Sequence, residues 1–416
     1  MKKLCLFVAL LLLISACEKE TTNTPEVLEN GPTTDFVGGN VLVPGQVIIK
    51  YDAGLTEAEK QVLRDFYQVE DYKTCSCADP SLELWIFEVD SNGNLPGGGT
   101  LEGVTESTKD DAGVEGSEFN PIIKHDGIEL SAPFGPAHIT TGLDIMSTTN
   151  SGVTIAVLDT GIDYNYFRFE EPFLYNSEAS GDSCTDNGMN DYIGWDFVEQ
   201  DNNPFDDHGH ATQVISLIYE TLDAQDVDFQ VLPVKVFDQN GIGTYFDILC
   251  GFRYAANNED VAIINLSFGW YETQYELLKR FIEETLDKKV IVASAGNDEN
   301  NNDLVRHYPS SYEDANILSI ASWNTDLIEV GLSRFSNWGE GSVDLAAPGE
   351  NIPFYIDANE YILLYGTSYA NAYASAIAAG MHVPGMSPSQ LISSVIASGI
   401  PDDNLNNILY HSYIYY

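Results

Sequence analysis

Five short runs organise the chain between residues 150 and 325: Val153–Leu158, Val231–Val236, Ala262–Leu266, Val290–Ala293 and Ile317–Ala321. Each is nearly continuous in apolar residues rather than alternating, and each is shorter than an ordinary helix. Runs of this kind are strands buried on both faces. Helical patterns separate several of them, around Ala211–Tyr219, Tyr245–Ala256 and Gln274–Leu286. The alternation predicts an α/β fold, a mostly parallel sheet with helices on both faces. Ser387-Pro388-Ser389-Gln390 opens a late helix with an N-cap, a Pro in the first turn and a capping-box residue.

The segments ahead of this domain differ in kind. Met1-Lys2-Lys3 is a basic n-region, and Leu4–Ile14 is an apolar stretch too short to span a bilayer. Leu13-Ile14-Ser15-Ala16-Cys17 resembles the lipobox of bacterial lipoproteins. That resemblance implies cleavage before Cys17 and a lipid on Cys17, the alternative being ordinary secretory cleavage near Ala16. In both cases export is expected, to the bacterial cell envelope or beyond, with the lipid as the sole membrane attachment. Residues 1–16 are thus read as signal peptide and 17–40 as a polar tether. Residues 41–90 read as a small α+β unit, with strands at Gly45–Tyr51 and Leu82–Val89. Between them a helix is capped by Thr56 and Glu59 and presents Val62, Leu63 and Phe66. Residues 91–120, rich in Gly and acid, read as a linker, and 121–416 as the large domain.

Composition narrows the partners. With 64 acidic against 18 basic side chains, a formal net charge of −46, nucleic acid is excluded as a ligand. Once Cys5 leaves with the signal and Cys17 is acylated, Cys75, Cys77, Cys184 and Cys250 remain, and three pairings are open.

In a parallel sheet, ligands bind beyond the carboxyl ends of the strands. Asp159 ends the strand VTIAVLD, and Asn297 follows the strand VIVAS in VIVASAGN. His210 lies in DHGHATQV at a helix start. His208 and His210 are two apart, so a helix does not turn them to one metal. Ser368 stands in YGTSYA before a helix of small residues. Each residue alone has an ordinary structural explanation. Together they supply a nucleophile, a base, a residue to orient the base, and an amide donor for a developing oxyanion.

The words AVLDTGID, DHGHATQV, INLSFG, VIVASAGN, VDLAAPG and YGTSYA, in that order, resemble the subtilisin-like serine peptidases over about 270 residues. The resemblance implies Ser368 as nucleophile, His210 as general base, Asp159 as its partner, and Asn297 with the Ser368 N–H as oxyanion hole. It also implies that Ser267, Phe268 and Gly269 bind extended polypeptide substrates by main-chain pairing. An α/β-hydrolase is excluded, since Ala370 stands where Gly-x-Ser-x-Gly needs glycine and His210 precedes the serine. The departures from the family pattern are Ala211, Gln213, Tyr369 and Ala372. They leave a competing reading, a catalytically impaired surface protein that still binds peptides.

By the same resemblance, the unit at 41–90 has the place and pattern of a propeptide, an intramolecular inhibitor cleaved in the following linker. A disulfide from Cys75 or Cys77 to Cys184 or Cys250 would then retain it. No cofactor is implied for catalysis. Asp196, Glu199, Asp201 and Asn203 form a candidate structural calcium loop of hard oxygen donors.

Overall fold

A computed structural model describes residues 36–37, 40–75, 77–125, 139–181, 183–186, 188–324 and 331–415. The leader, Cys17 and the tether through residue 35 lie outside the described residues. The first elements are β1 (Asn40–Tyr51), α1 (Glu57–Tyr67), β2 (Asp71–Cys75), β3 (Asp79–Ile86), α2 (Leu101–Thr108) and β4 (Val114–Lys124). The four strands form an antiparallel sheet in the order β4-β1-β3-β2. Alternation along β1 sends Val47, Ile49 and Tyr51 to one face, where Trp85, Leu101 and Val104 cover them. Ile48, Leu82, Leu84 and Ile123 face the other way, into a core shared with the large domain.

Two expectations need correction here. The capping box of α1 forms between Thr56 and Glu59. Of the expected apolar face of α1, Leu63 packs inward on the small core, but Val62 and Phe66 are 66% and 73% exposed, and the buried positions beside Leu63 are Lys60 and Arg64. The cause is Glu83 on β3, a fully buried carboxylate that needs cations. Arg64 Nη1 meets Glu83 Oε1 at 2.8 Å, Lys60 lies 3.5 Å away, and the Tyr51 hydroxyl donates at 3.0 Å. Secondly, residues 91–120 are not a bare linker: α2 and most of β4 lie there. The acids of β4 that look linker-like in sequence include Glu118, which binds the large domain.

The large domain comprises β5 (Val153–Asp159), α3 (His210–Asp223), β6 (Phe229–Lys235), β7 (Ile242–Thr244), α4 (Tyr245–Asn257) and β8 (Val261–Leu266). There follow α5 (Glu276–Glu283), β9 (Val290–Ser294), β10 (Ile317–Asn324), β11 (Leu345–Pro348), α6 (Thr367–Met381) and α7 (Pro388–Ala397). Strands β11-β10-β9-β8-β5-β6 lie side by side and parallel. Short antiparallel pairings at Gly331–Leu332 and Ile400–Pro401 make the sheet mixed. Val153, Ile155 and Val157 pack toward Val214, Ile218, Ala370 and Ala374 of α3 and α6. Ala156 and Leu158 pack toward Phe246, Leu249, Leu278 and Phe281 of α4 and α5. Both faces are therefore dry, which is why the strands read as continuous apolar runs.

The two units are joined extensively. β4 extends its sheet onto β7, pairing Lys124 with Ile242 and Ile122 with Thr244. Glu118 accepts from the Glu276 and Leu277 N–H groups at 2.6 and 3.3 Å, capping α5, which has no cap of its own. Asp79 pairs with Arg253 at 3.1 Å. Of the three open cysteine pairings, the structure forms Cys75–Cys250 and Cys77–Cys184. Both bridges cross from the N-terminal unit to the large domain.

Candidate active site

Asp159 ends β5 fully buried, with its carboxylate held by the Thr160 N–H at 2.7 Å. Burial pushes its pKa up to about 6, against the lowering field of His125. His210 is the first residue of α3, behind Gly209, whose φ of 102° favours glycine. The loop before it is tied to buried Asp206, which accepts from the N–H groups of His208, Gly209 and Thr212 and from the hydroxyls of Thr160 and Thr212. Burial works to raise the Asp206 pKa, and these bonds more than offset it.

His210 Nδ1 lies 2.9 Å from both Asp159 oxygens. That contact fixes the neutral tautomer with its proton on Nδ1 and a lone pair on Nε2. Among the described residues, His210 Nε2 has no hydrogen-bond partner. Burial holds the imidazole neutral, with its pKa lowered to about 3.

Ser368 is the second residue of α6 and 5% exposed. Its hydroxyl donates to the Ser267 carbonyl at 3.1 Å and not to His210. Asn371, one turn further on, donates to the Leu266 and Val292 carbonyls at 3.2 and 3.0 Å, which pins α6 beneath the ends of β8 and β9. Asn297 Oδ1 accepts from the Thr367 N–H and hydroxyl at 2.8 and 2.9 Å. With the oxygen so committed, its Nδ2 is the atom left to donate outward. Phe268 packs on Phe237 at 5.0 Å between ring centroids, and a side chain at Gly269 would strike His307.

Two departures from the family pattern answer each other: the Tyr369 hydroxyl donates to Gln213 Oε1, and both are buried. Ala211 fits without displacement, its N–H bonding Thr160 Oγ1 at 3.0 Å, and α6 runs through Ala372 unbroken.

Sequence reasoning missed two features. β7, which no strand reading marked, pairs antiparallel with β4. And His125, which follows β4, donates its N–H to Gly241 O at 2.7 Å and lays its ring 3.7 Å from that of His210, centroid to centroid. Nothing local in the sequence marks His125.

The calcium-loop expectation needs correction: among the described residues Asp196, Glu199 and Asp201 do not bring three ligand oxygens within 4.8 Å of one another, and the oxygens of Asp196, Asp201 and Asn203 are taken up by nearby N–H and hydroxyl donors. Asp196 Oδ1 accepts from Val198 and Glu199 N–H at 2.8 and 3.0 Å. Asp201 Oδ1 accepts from Asn203 N–H, and Asn203 Oδ1 from the Tyr164 hydroxyl. Burial raises the Asp196 pKa to about 7, partly opposed by Lys235. A carboxylate raised from its unfolded value costs stability when ionised, and the cost fades as pH falls from 7 toward 4. Asp196→Asn is therefore expected to raise the melting temperature at pH 8, roughly 2–4 °C for each kcal/mol relieved, and less at pH 5.5. A drop at pH 8 in added calcium would instead make Asp196 a ligand.

The model of the Subtilase family matches residues 150–409, more than half of the chain. A thermophilic serine proteinase of Bacillus sp. (strain AK1) is 30% identical over 294 residues, 68% of this chain and 66% of that protein. The cell wall-associated protease of Bacillus subtilis (strain 168) is 32% identical over 54% of this chain, which spans only 23% of it. Thermitase of Thermoactinomyces vulgaris is 28% identical over 64% of this chain and 87% of its own length. The crystal structure of a cold adapted subtilisin-like serine proteinase superposes with a TM-score of 0.50 at 22% identity, covering 65% of this chain and 90% of that one, a likeness of fold.

Proposed function

The chain belongs to the Subtilase family, and from that premise we propose that it is a serine endopeptidase acting on extended polypeptides through an acyl-enzyme. The observation that carries the reading is the buried His210–Asp159 pair, its Nε2 lone pair uncommitted. Ser368 leaves the Ser267 carbonyl, gives its proton to His210 Nε2 and attacks the scissile carbonyl. Asp159 keeps the Nδ1–H and stabilises the imidazolium. The oxyanion takes Asn297 Nδ2 and the Ser368 N–H, at a helix start where N–H groups lack intrahelical acceptors. His210 returns the proton to the leaving amine, and water then repeats the cycle to release the acid. Casein hydrolysis by the processed and mildly reduced chain, abolished by a fluorophosphonate, is the direct test; no hydrolysis once the N-terminal unit has been freed would favour the peptide-binding alternative.

Asn297→Ala removes the oxyanion donor. The expected loss is about 10²–10³-fold in kcat with KM little changed. An equal change in KM and none in kcat would assign Asn297 to substrate binding.

The N-terminal unit acts as an inhibitory prosegment. Its β4 occupies the edge β7 offers to substrate, and His125 covers the base. This makes the chain a zymogen, exported by the N-terminal leader and lipidated at Cys17, with cleavage after β4 cutting the chain between two units that the disulfides still join. Radiolabelled palmitate, lost on Cys17→Ser, tests the anchor.

A further inference from the structure

We infer that the docked N-terminal unit completes a transition-metal site on the catalytic pair, with His125, Asp159 and His210 as ligands for a zinc-like divalent ion. The site goes beyond the peptidase reading, and only its inhibitory consequence depends on that reading. His125 Nε2 lies 3.8 Å from Asp159 Oδ2, and His210 Nδ1 lies 2.9 Å from both Asp159 oxygens. One ligating atom from each of the three falls within 4.8 Å of the others. A four-coordinate zinc about 2.1 Å from each ligand spaces them about 3.4 Å apart, inside the range of these separations. Against that spacing, the His125–Asp159 separation closes by about 0.4 Å and the His210–Asp159 separation opens by about 0.5 Å.

The chemistry of the donors selects the ion. Two imidazoles and one carboxylate suit zinc or cobalt, whereas calcium takes six to eight oxygens. All three side chains are buried, and burial keeps both imidazoles neutral, with the His125 pKa also lowered to about 3. Neutral imidazoles are ligands as they stand, and Asp159 contributes one negative charge toward the two positive charges of the ion.

The site is conditional on docking. His125 is held there by the β4–β7 pairing and by its N–H bond to Gly241. With the unit withdrawn, only Asp159 and His210 remain. The ion takes the place of the proton on His210 Nδ1, and that proton moves to Nε2. The lone pair that would accept the serine proton is thereby lost, so metal binding and base catalysis exclude each other.

The test uses the full untagged chain carrying Ser368→Ala, which cannot process itself. Calorimetry with zinc chloride is expected to show one ion per chain. Cobalt(II) is expected to give the strong visible bands of a four-coordinate site. His125→Ala should weaken binding at least about tenfold, since even outer-shell changes cost that much. The downfield proton resonance of the His210–Asp159 bond should vanish on adding zinc. Should His125→Ala fail to fold, the resonance and cobalt bands of the parent carry the test alone. No zinc uptake, unchanged affinity in a folded His125→Ala, or a resonance that survives saturation would overturn the proposal. None of these readouts needs peptidase activity, so a failure of the catalytic reading is seen separately. In the parent enzyme, zinc should also slow fluorophosphonate labelling and a chelator should restore it.

Discussion

Ser368→Ala is expected to lower peptide hydrolysis by about 10⁶-fold while leaving the chain folded. The substitution deletes one oxygen, whose bond in the structure runs to the Ser267 carbonyl. Such a bond contributes about 1 kcal/mol net, too little to unfold a domain of this size. The Ser368 N–H and the Asn297 amide survive, so the oxyanion hole stays intact and the whole loss falls on the nucleophile. Fluorophosphonate should label the parent at Ser368 and leave the variant unlabelled. If cleavage between the units is the chain's own work, the variant should also accumulate at full length. Labelling that persists in the variant would place the nucleophile elsewhere. An unlabelled parent that still binds extended peptides, after the N-terminal unit has been freed, would favour the peptide-binding alternative.

What could be read from residues alone follows from where each residue's energy is spent. The strands β5, β6, β8, β9 and β10 were legible because both their faces are dry, and a buried run leaves no other pattern. The capping box at Thr56 was legible because both of its partners lie within one turn. Asp159 and His210 were legible through the words around them, whose glycines and acids fix the turns. Partners distant in sequence were not. Glu118 reads as one more acid in an acidic stretch until α5 arrives to be capped by it. Nothing local marks Lys60 and Arg64 as buried, because Glu83, the carboxylate they pair with, lies on another element. Tyr369 and Gln213 each look like a defect alone, and together they make one buried hydrogen bond. His125 gains its place from strand pairing on β7, which no local pattern announces.

Separating the two units after cleavage is expected to raise activity by about 10³-fold, and the two disulfides are what prevents it. In the fold, Cys75–Cys250 and Cys77–Cys184 both cross the interface, so cutting the chain after β4 releases nothing. A unit held this way presents itself to the groove at an effective concentration of about 1 mM. If its intrinsic Kd is about 1 μM, the groove is open about one part in a thousand while tethered. Freed at nanomolar protein concentration, the same unit leaves the groove almost entirely open. Processed parent should therefore run as one species without reductant and as two with it. Mild reduction by a dithiol, or the pair Cys75→Ser and Cys77→Ser, should produce the rise in activity. Reduction of already folded, processed protein guards against a variant that fails to fold. Fragments that part without reductant, or processed parent already as active as the reduced form, would contradict the tether. The remaining contacts set how far the rise can go. The Glu118 cap on α5 and the β4–β7 pairing persist after reduction, so release should be more complete where dilution is greater, as the equilibrium of a bimolecular inhibitor requires.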